Sequence, residues 1–310
     1  MAPIVHELAT GLRFPEGPIA MPDGSIVLVE IERQCVSRVT PDGAVTSIAR
    51  TGGGPNGAAI GPDGKCYVCN NGGLAWLESP RHGLRPRGPA SDYSGGRIER
   101  VDLATGTVER LYDASDKDRL NSPNDLVFDR HGGFWFTDVG LLRPRDLTWG
   151  CVCYAKADGS AIREVIFPMV TPNGIGLSPD EDRLYVAEML TGRVWMFDIV
   201  APGEIKKWPW PQSPHGGRLL ASMRDYYNLD SMAVDSAGNV CVATLMAGGI
   251  TVISPDGRSR EHIAMLDPLT TNICFGGPRL ETAYITLGTT GKLVSMQWRC
   301  AGLGLNFVNS

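Results

Sequence analysis

Residues 14–30 read FPEGPIAMPDGSIVLVE, and the chain repeats this phrase five more times. The later copies are GPNGAAIGPDGKCYVCN (54–70), SPNDLVFDRHGGFWFTD (122–138), TPNGIGLSPDEDRLYVAE (171–188), NLDSMAVDSAGNVCVAT (228–244) and TTNICFGGPRLETAYIT (270–286). The third residues are Glu16, Asn56, Asn124, Asn173, Asp230 and Asn272. Eight positions further on stand Gly24, Gly64, Gly132, Glu181, Gly238 and Leu280. Glycine at four of those six positions sets the register of the repeat. Each copy is a polar residue, a short apolar stretch, a turn and a strongly apolar run.

Such apolar runs, rich in Val, Ile, Tyr and Phe and joined by Asp-Gly or Ala-Gly, predict a hairpin of strands. They are too short for helices, and no sustained 3.6-residue pattern occurs. A recurring unit of roughly 40–50 residues is the sequence mark of a propeller blade, here without the WD signature. A second hairpin follows in most units, as in GGRIERVDLATGTVERLYD (95–113) and GGITVISPDGRSREHIAM (248–265). The last unit, GKLVSMQWRC (291–300), stops one strand short, and IVHELATGL (4–12) can supply that strand. The expectation is one all-β domain over residues 1–310. It is a six-bladed β-propeller with four antiparallel strands per blade, its ring closed by the N-terminal strand.

Composition agrees. The 310 residues are 43% hydrophobic, enough for a large core, and 38 Gly with 22 Pro suit a turn-dense chain. Net charge is −5 with no basic stripe, which argues against nucleic acid as a partner. No run of 18 apolar residues spans a membrane, and MAPIVHELATGLRF lacks the pattern of a signal peptide. The eight cysteines read as small buried hydrophobes of a reducing, cytoplasmic compartment. Cys66 and Cys69 have C-x-x-C spacing, but without a second pair or a nearby His. The five histidines form no spaced set and read as surface or loop residues, and Gly-x-Ser-x-Gly is absent.

In a propeller the innermost strands line a central channel, so equivalent residues of successive blades form a ring at one depth. Glu16, Asn56, Asn124, Asn173, Asp230 and Asn272 would then converge at one mouth as two carboxylates and four amides. Oxygen donors of this kind suit a hard divalent cation, Ca²⁺ above all, with Mg²⁺, Mn²⁺ or Zn²⁺ as alternatives. The bland reading is a set of turn caps, since Asn and Asp before a strand often bond their own backbone. Residues 72–95 read as an extended, Pro-rich loop with Trp76 and Tyr93, either a solvated insertion or a lid. A second loop, Gly140 to Trp149, also ends on an aromatic residue.

These motifs carry a resemblance. Phe14-Pro-Glu-Gly-Pro, Ser122-Pro-Asn-Asp, Thr171-Pro-Asn-Gly-Ile-Gly-Leu-Ser and Leu229-Asp-Ser-Met-Ala-Val-Asp-Ser-Ala-Gly-Asn resemble the SMP-30/gluconolactonase/luciferin-regenerating-enzyme family. Diisopropylfluorophosphatase-type phosphotriesterases share its architecture. The resemblance implies a catalytic divalent cation at the channel mouth, with Glu16, Asn173 and Asp230 as ligands. Asn124 would be a ligand or a substrate contact. Asn56, Trp149 and Tyr226 are further expected substrate contacts. The chain departs from the sugar-lactone members at Ser122, where members similar to the animal protein carry Arg. It also lacks their acidic sugar contact near Gly140–Arg143, which points to a less polar substrate.

Three functions are compatible with this pattern. The leading one is metal-dependent hydrolysis of a small-molecule lactone, with Asp230 as general base or nucleophile. A phosphotriesterase could use the same cation on a phosphoryl oxygen. A non-catalytic binding propeller would need no asymmetric donor ring.

Overall fold

The computed structural model describes residues 4–309; the ends of the expected 1–310 domain, residues 1–3 and 310, lie outside them. Twenty-seven strands and no helix form over the described residues. The N-terminal strand β1 (His6–Ala9) is followed by blade 1, built of β2 (Pro15–Ala20), β3 (Ile26–Glu30), β4 (Cys35–Val39) and β5 (Val45–Arg50). Blade 2 contains β6 (Pro55–Ile60), β7 (Cys66–Asn70), β10 (Arg97–Val101) and β11 (Val108–Tyr112). Between its middle strands a separate two-stranded ribbon intervenes, β8 (Leu74–Ser79) and β9 (Gly83–Pro89).

Blade 3 is β12 (Pro123–Phe128), β13 (Gly133–Asp138), β14 (Gly150–Lys156) and β15 (Ile162–Met169). Blade 4 is β16 (Pro172–Leu177), β17 (Arg183–Glu188) and β18 (Arg193–Ala201), with its outer edge divided between β19 (Glu204–Lys206) and β20 (Arg218–Ser222). Blade 5 is β21 (Asn228–Val234), β22 (Val240–Leu245), β23 (Gly249–Ile253) and β24 (Arg260–Ala264). Blade 6 is β25 (Thr270–Gly276), β26 (Thr282–Leu287) and β27 (Lys292–Gln297), and β1 pairs with β27 as its fourth strand. The ring therefore closes between the two ends of the chain, as the short last unit predicts.

The inner strands β2, β6, β12, β16, β21 and β25 each touch the next, and β25 touches β2. The second strand of each blade is sandwiched between neighbouring blades. That is why IVLVE, CYVCN and GFWFTD are apolar without alternation and buried almost along their whole length. The turn eight residues after each third residue is left-handed in all six copies, at Gly24, Gly64, Gly132, Glu181, Gly238 and Leu280. Glu181 and Leu280 hold φ near +58° and +57° there, so the repeat persists in backbone form where its glycine is lost.

Three expectations need correction. Residues 72–95 are not an irregular loop: β8 and β9 pair as a ribbon lying across the front face, the face on which the inner strands begin. Phe14 and Trp76 rings meet at 5.0 Å, Arg13 pairs with Glu78 at 2.9 Å, and Leu84 N–H donates to Thr289 O. Blade 4 has five strands because its outer strand is broken by an excursion over 207–217. His215, expected in a surface or loop role, does lie in that loop excursion but is buried there, with its ring 4.4 Å from Trp195.

The C-terminal segment crosses the back face. Leu303 N–H donates to Val234 O in blade 5, and Gly302 N–H to Leu280 O in blade 6. The Asn306 amide donates to Phe128 O in blade 3 and to Glu181 Oε1 in blade 4. Between this strap and the ring of third residues lies a channel cavity of about 370 Å³, lined mainly by inner-strand residues such as Ile19, Val127 and Leu177. All eight cysteines are free, six of them buried, as their strand positions predict. No helix among the described residues is long and apolar enough to cross a membrane.

Candidate functional site

Each third residue stands at the head of its inner strand. Glu16, Asn56, Asn124 and Asn173 are the second residues of β2, β6, β12 and β16. Asp230 and Asn272 are the third residues of β21 and β25. In every blade the ladder to the second strand shifts register at this point, from Glu16/Ile19 around to Thr270/Asn272. Such a bulge re-aims a side chain that would otherwise lie on a sheet face. Just below, neighbouring inner strands come into backbone contact. A Cβ on Gly17 would lie 2.6 Å from Asn56 O, and one on Gly174 would lie 2.5 Å from Asp230 O. In blades 1, 2 and 4 the glycine after the third residue (Gly17, Gly57, Gly174) is what allows the next inner strand to approach so closely.

All six side chains are buried, but they are not equivalent. Asn272 is committed: its amide N–H donates to Glu16 Oε2 at 2.7 Å, and its Oδ1 accepts Ile273 N–H at 2.7 Å. Gly17 N–H also donates to Glu16 Oε2, at 2.6 Å. The remaining oxygen, Glu16 Oε1, is buried without a hydrogen-bond partner, and so are Asn124 Oδ1 and Asn173 Oδ1. A bare buried oxygen costs about 1–3 kcal/mol, so three at one level are a strong departure from ordinary protein interiors. The turn-cap reading does not account for them, because a capping oxygen would be accepting a backbone N–H.

Burial raises both carboxyls of this level. Burial, and then the nearby Asp230 carboxylate, hold Glu16 well above the usual carboxylate range, with the Asn272 amide offsetting part of the rise. Burial pushes Asp230 up to about 7, against a side-chain hydrogen bond from Asn173. Two carboxyls driven toward neutrality, one of them with a bare oxygen, beside two bare amide oxygens make a site that lacks positive charge. A hard divalent cation fits it: all the donors are oxygens, two are carboxylates, and a bound cation reverses the direction of both shifts. Among the described residues no three His, Cys, Asp or Glu side chains group as a metal centre; the donor set here is two carboxylates with amide oxygens.

Sequence reasoning missed Asp125. It occupies the place held by Gly17, Gly57 and Gly174 in three other copies, and that mismatch was the available signal. Its carboxylate accepts Leu126 N–H at 2.9 Å and Ile175 N–H at 3.3 Å, and burial pushes it up to about 7. It is thus a third buried carboxyl just below the ring, tying blade 3 to blade 4.

Also missed was the last letter of four of the six quoted copies. Glu30, Asn70, Asp138 and Glu188 end their second strands as buried acceptors. They take the backbone N–H groups of Arg13, Gly54, Asn121 with Ser122, and Val170, just ahead of the inner strands. These latches hold the heads of four inner strands. Asp138 accepts three such N–H groups including Gly140, yet burial still raises its carboxyl.

The expected substrate contacts lie on the front face. Trp149 and Tyr226 are exposed in the loops before β14 and β21, while Asn56 is buried near the mouth and makes no side-chain hydrogen bond among the described residues.

Comparison with known proteins agrees with this architecture. Residues 14–289 match the family described as SMP-30/Gluconolactonase/LRE-like region. A gluconolactonase of Zymomonas mobilis is 26% identical over 91% of this chain and 78% of its own length. The lactonase drp35 of Staphylococcus saprophyticus is 27% identical over 78% of this chain and 67% of its own. A diisopropyl-fluorophosphatase of Loligo vulgaris is 28% identical over 64% of each. Among solved structures, a gluconolactonase of Xanthomonas campestris superposes with a TM-score of 0.73 at 24% identity, covering 94% of this chain and 89% of that one. A calcium-binding regucalcin of Agrobacterium tumefaciens gives 0.74 at 17% identity, covering 98% of both. With its repeat, its ring and 276 consecutive residues matched, the chain belongs to the SMP-30/gluconolactonase/LRE-like family.

Proposed function

We propose that this protein is a lactonase that hydrolyses a cyclic ester at the front mouth of its channel. The observation that carries the reading is the trio of buried, unpartnered oxygens, Glu16 Oε1, Asn124 Oδ1 and Asn173 Oδ1, beside the Asp230 carboxylate. Glu16, Asn124, Asn173 and Asp230 would hold one divalent cation, Ca²⁺ in first place. Bound there, the cation supplies Lewis-acid polarisation of the ester carbonyl. The names of the relatives, gluconolactonase and lactonase, support the same class.

The chain's own residues then have defined tasks. Asn272 fixes the Glu16 carboxylate with one oxygen turned to the mouth. Asn124 orients the substrate oxygen. The Asp230 carboxylate takes a proton from the attacking water as that water's oxygen bonds to the carbonyl carbon. The ring C–O bond breaks, the proton passes to the departing alkoxide, and a hydroxy acid leaves. Phe14 and Leu269, just ahead of β2 and β25, are buried apolar residues of one core cluster. The related diisopropyl-fluorophosphatase makes a phosphotriester the second substrate class to assay.

The test is turnover of a panel of aldonolactones, alkyl lactones, aromatic lactones and a fluorophosphate, on protein purified without chelator and with its metal content measured. Lactone opening that disappears on chelation and returns with Ca²⁺ supports the reading. Turnover unaffected by removal of all divalent metal would sink it.

A further inference from the structure

We propose that the front mouth is built for a lactone carrying an apolar substituent, which lies against a wall formed by Trp149, Leu190 and Tyr226. The proposal rests on the lactonase reading for its reaction and on the rim itself for its substrate. These three side chains are 52%, 40% and 76% exposed. A large apolar group left open to water is informative when several gather at one place.

Leu190 itself, and the chain neighbours of Trp149 and Tyr226, lie against segments next to the candidate ligands. Leu190 N–H donates to Thr171 Oγ1 and Met189 N–H to Thr171 O, two residues before Asn173. On its other side, Met189 O accepts Leu229 N–H, one residue before Asp230. The Met189–Leu190 turn is therefore wedged between the strand heads that carry Asn173 and Asp230. Trp149 precedes Gly150, where a Cβ would lie 2.3 Å from the ring of Pro172, the neighbour of Asn173. Tyr226 stands four residues before Asp230 in the loop whose Tyr227 O lies against Gly192.

On the side of blades 4 to 6 the rim offers few polar groups to a polyhydroxylated ligand. The front loops 189–192, 246–248, 265–269 and 288–291 contain one charged residue, Asp267, whereas the loops that carry Trp149 and Tyr226 add the exposed Arg143, Arg145, Asp146, Arg224 and Asp225. Asp267 is buried and occupied by Leu269 N–H and by Thr290 N–H and Oγ1. The other threonines turn inward as well: Thr191 donates to Glu188, and the Thr289 hydroxyl is buried. A sugar lactone would find few partners for its hydroxyls on this side, whereas an alkyl or aryl group would find methionine, leucine and aromatic surface. Methionine adapts to irregular apolar ligands.

The experiment compares kcat/KM for γ-decalactone and γ-butyrolactone in wild type and in Leu190→Ser. Burial of a methylene is worth about fourfold, so the wild-type ratio is expected to exceed about tenfold and to fall several-fold in Leu190→Ser. A ratio near one, or a ratio unchanged in the variant, overturns the wall. In parallel, calorimetry measures binding of the non-hydrolysed lactam analogues 5-hexylpyrrolidin-2-one and pyrrolidin-2-one. If no lactone is opened, the lactonase reading fails on its own, and the binding pair decides the wall. Tighter binding of the hexyl lactam that weakens in Leu190→Ser sustains it; equal Kd values for the two lactams overturn it.

Discussion

The Asn272 amide donates a 2.7 Å hydrogen bond to Glu16 Oε2, joining residues 256 positions apart across the seam where the ring closes. One residue of the ring is thereby spent on orienting another. With Oε2 held by Asn272 and Gly17, only Oε1 is left for a ligand. Asn272→Leu removes that donor with little change in size. Such supporting partners are worth about 10–100-fold in metal affinity. Cation Kd, measured by competition with a fluorescent chelator, is expected to weaken by at least that lower factor. A Kd within about twofold of wild type would show that Glu16 needs no such support.

Asp230→Asn keeps an oxygen and removes a charge and a base. At full metal occupancy, verified by elemental analysis, kcat is expected to fall about 10²–10⁴-fold. Asp235→Asn is the contrast. Asp235 is fully buried and accepts N–H groups from Ala237 and Asn239, so it shapes a turn on the back face. Its variant should lose stability yet turn over near the wild-type rate. Close-to-normal kcat in metallated Asp230→Asn would make Asp230 a ligand only, with Glu16 the next candidate base.

Chelation is expected to lower the melting temperature, and by more at neutral than at acid pH. Without a cation, folding raises the Asp230 carboxyl to about 7 from its ordinary 3.8, and Glu16 rises as well. A group whose pKa is raised by folding stabilises below its unfolded value, and that contribution is lost as pH rises through the folded value. The chelated chain therefore weakens as pH climbs from about 4 to about 7, while cation binding adds RT ln(1 + [L]/Kd) of stability where the carboxyls are ionised. Differential scanning fluorimetry with and without EDTA across that range reads the effect. An EDTA-induced drop that does not grow with pH contradicts it.

His215 works in the opposite sense. Burial lowers it from its ordinary 6.5, so the folded chain holds it neutral between Trp195 and Phe197. The unfolded chain then binds more protons below that value, and stability is lost as pH falls through it. Urea midpoints at about pH 7.5 and about pH 5.5 should differ more in wild type than in His215→Phe. Equal differences would place the acid sensitivity elsewhere.

The strap on the back face hangs on Asn306, whose amide donates to Phe128 O at 3.1 Å and Glu181 Oε1 at 2.6 Å. Asn306→Ala leaves the Phe128 carbonyl and one Glu181 oxygen without that donor. Urea denaturation is expected to show a loss of about 1–3 kcal/mol. A loss below about 0.5 kcal/mol would mean that the strap is held by its apolar contacts, such as Phe307 on Phe128, instead.

The sequence by itself determined the blade count, the hairpin register and the closing strand. All three are local or periodic properties. Strand length, turn chemistry and the eight-residue offset to a left-handed turn recur in every copy, and repetition lets six weak signals agree even where Glu181 and Leu280 replace glycine. It also determined which six side chains share one level, because equivalent positions of a circular repeat must. The tertiary structure alone decided how those six divide. Asn272 bonds Glu16 only after the two ends of the chain have met. Asp125 becomes a buried carboxyl only because blade 4 packs against it. The ribbon over 74–89 needs Arg13 and Thr289 to lie on, and the back strap needs blades 3 to 6 already assembled. Each of these features joins residues far apart along the chain through partners of different types, and a one-dimensional repeat carries no record of which partner will be adjacent.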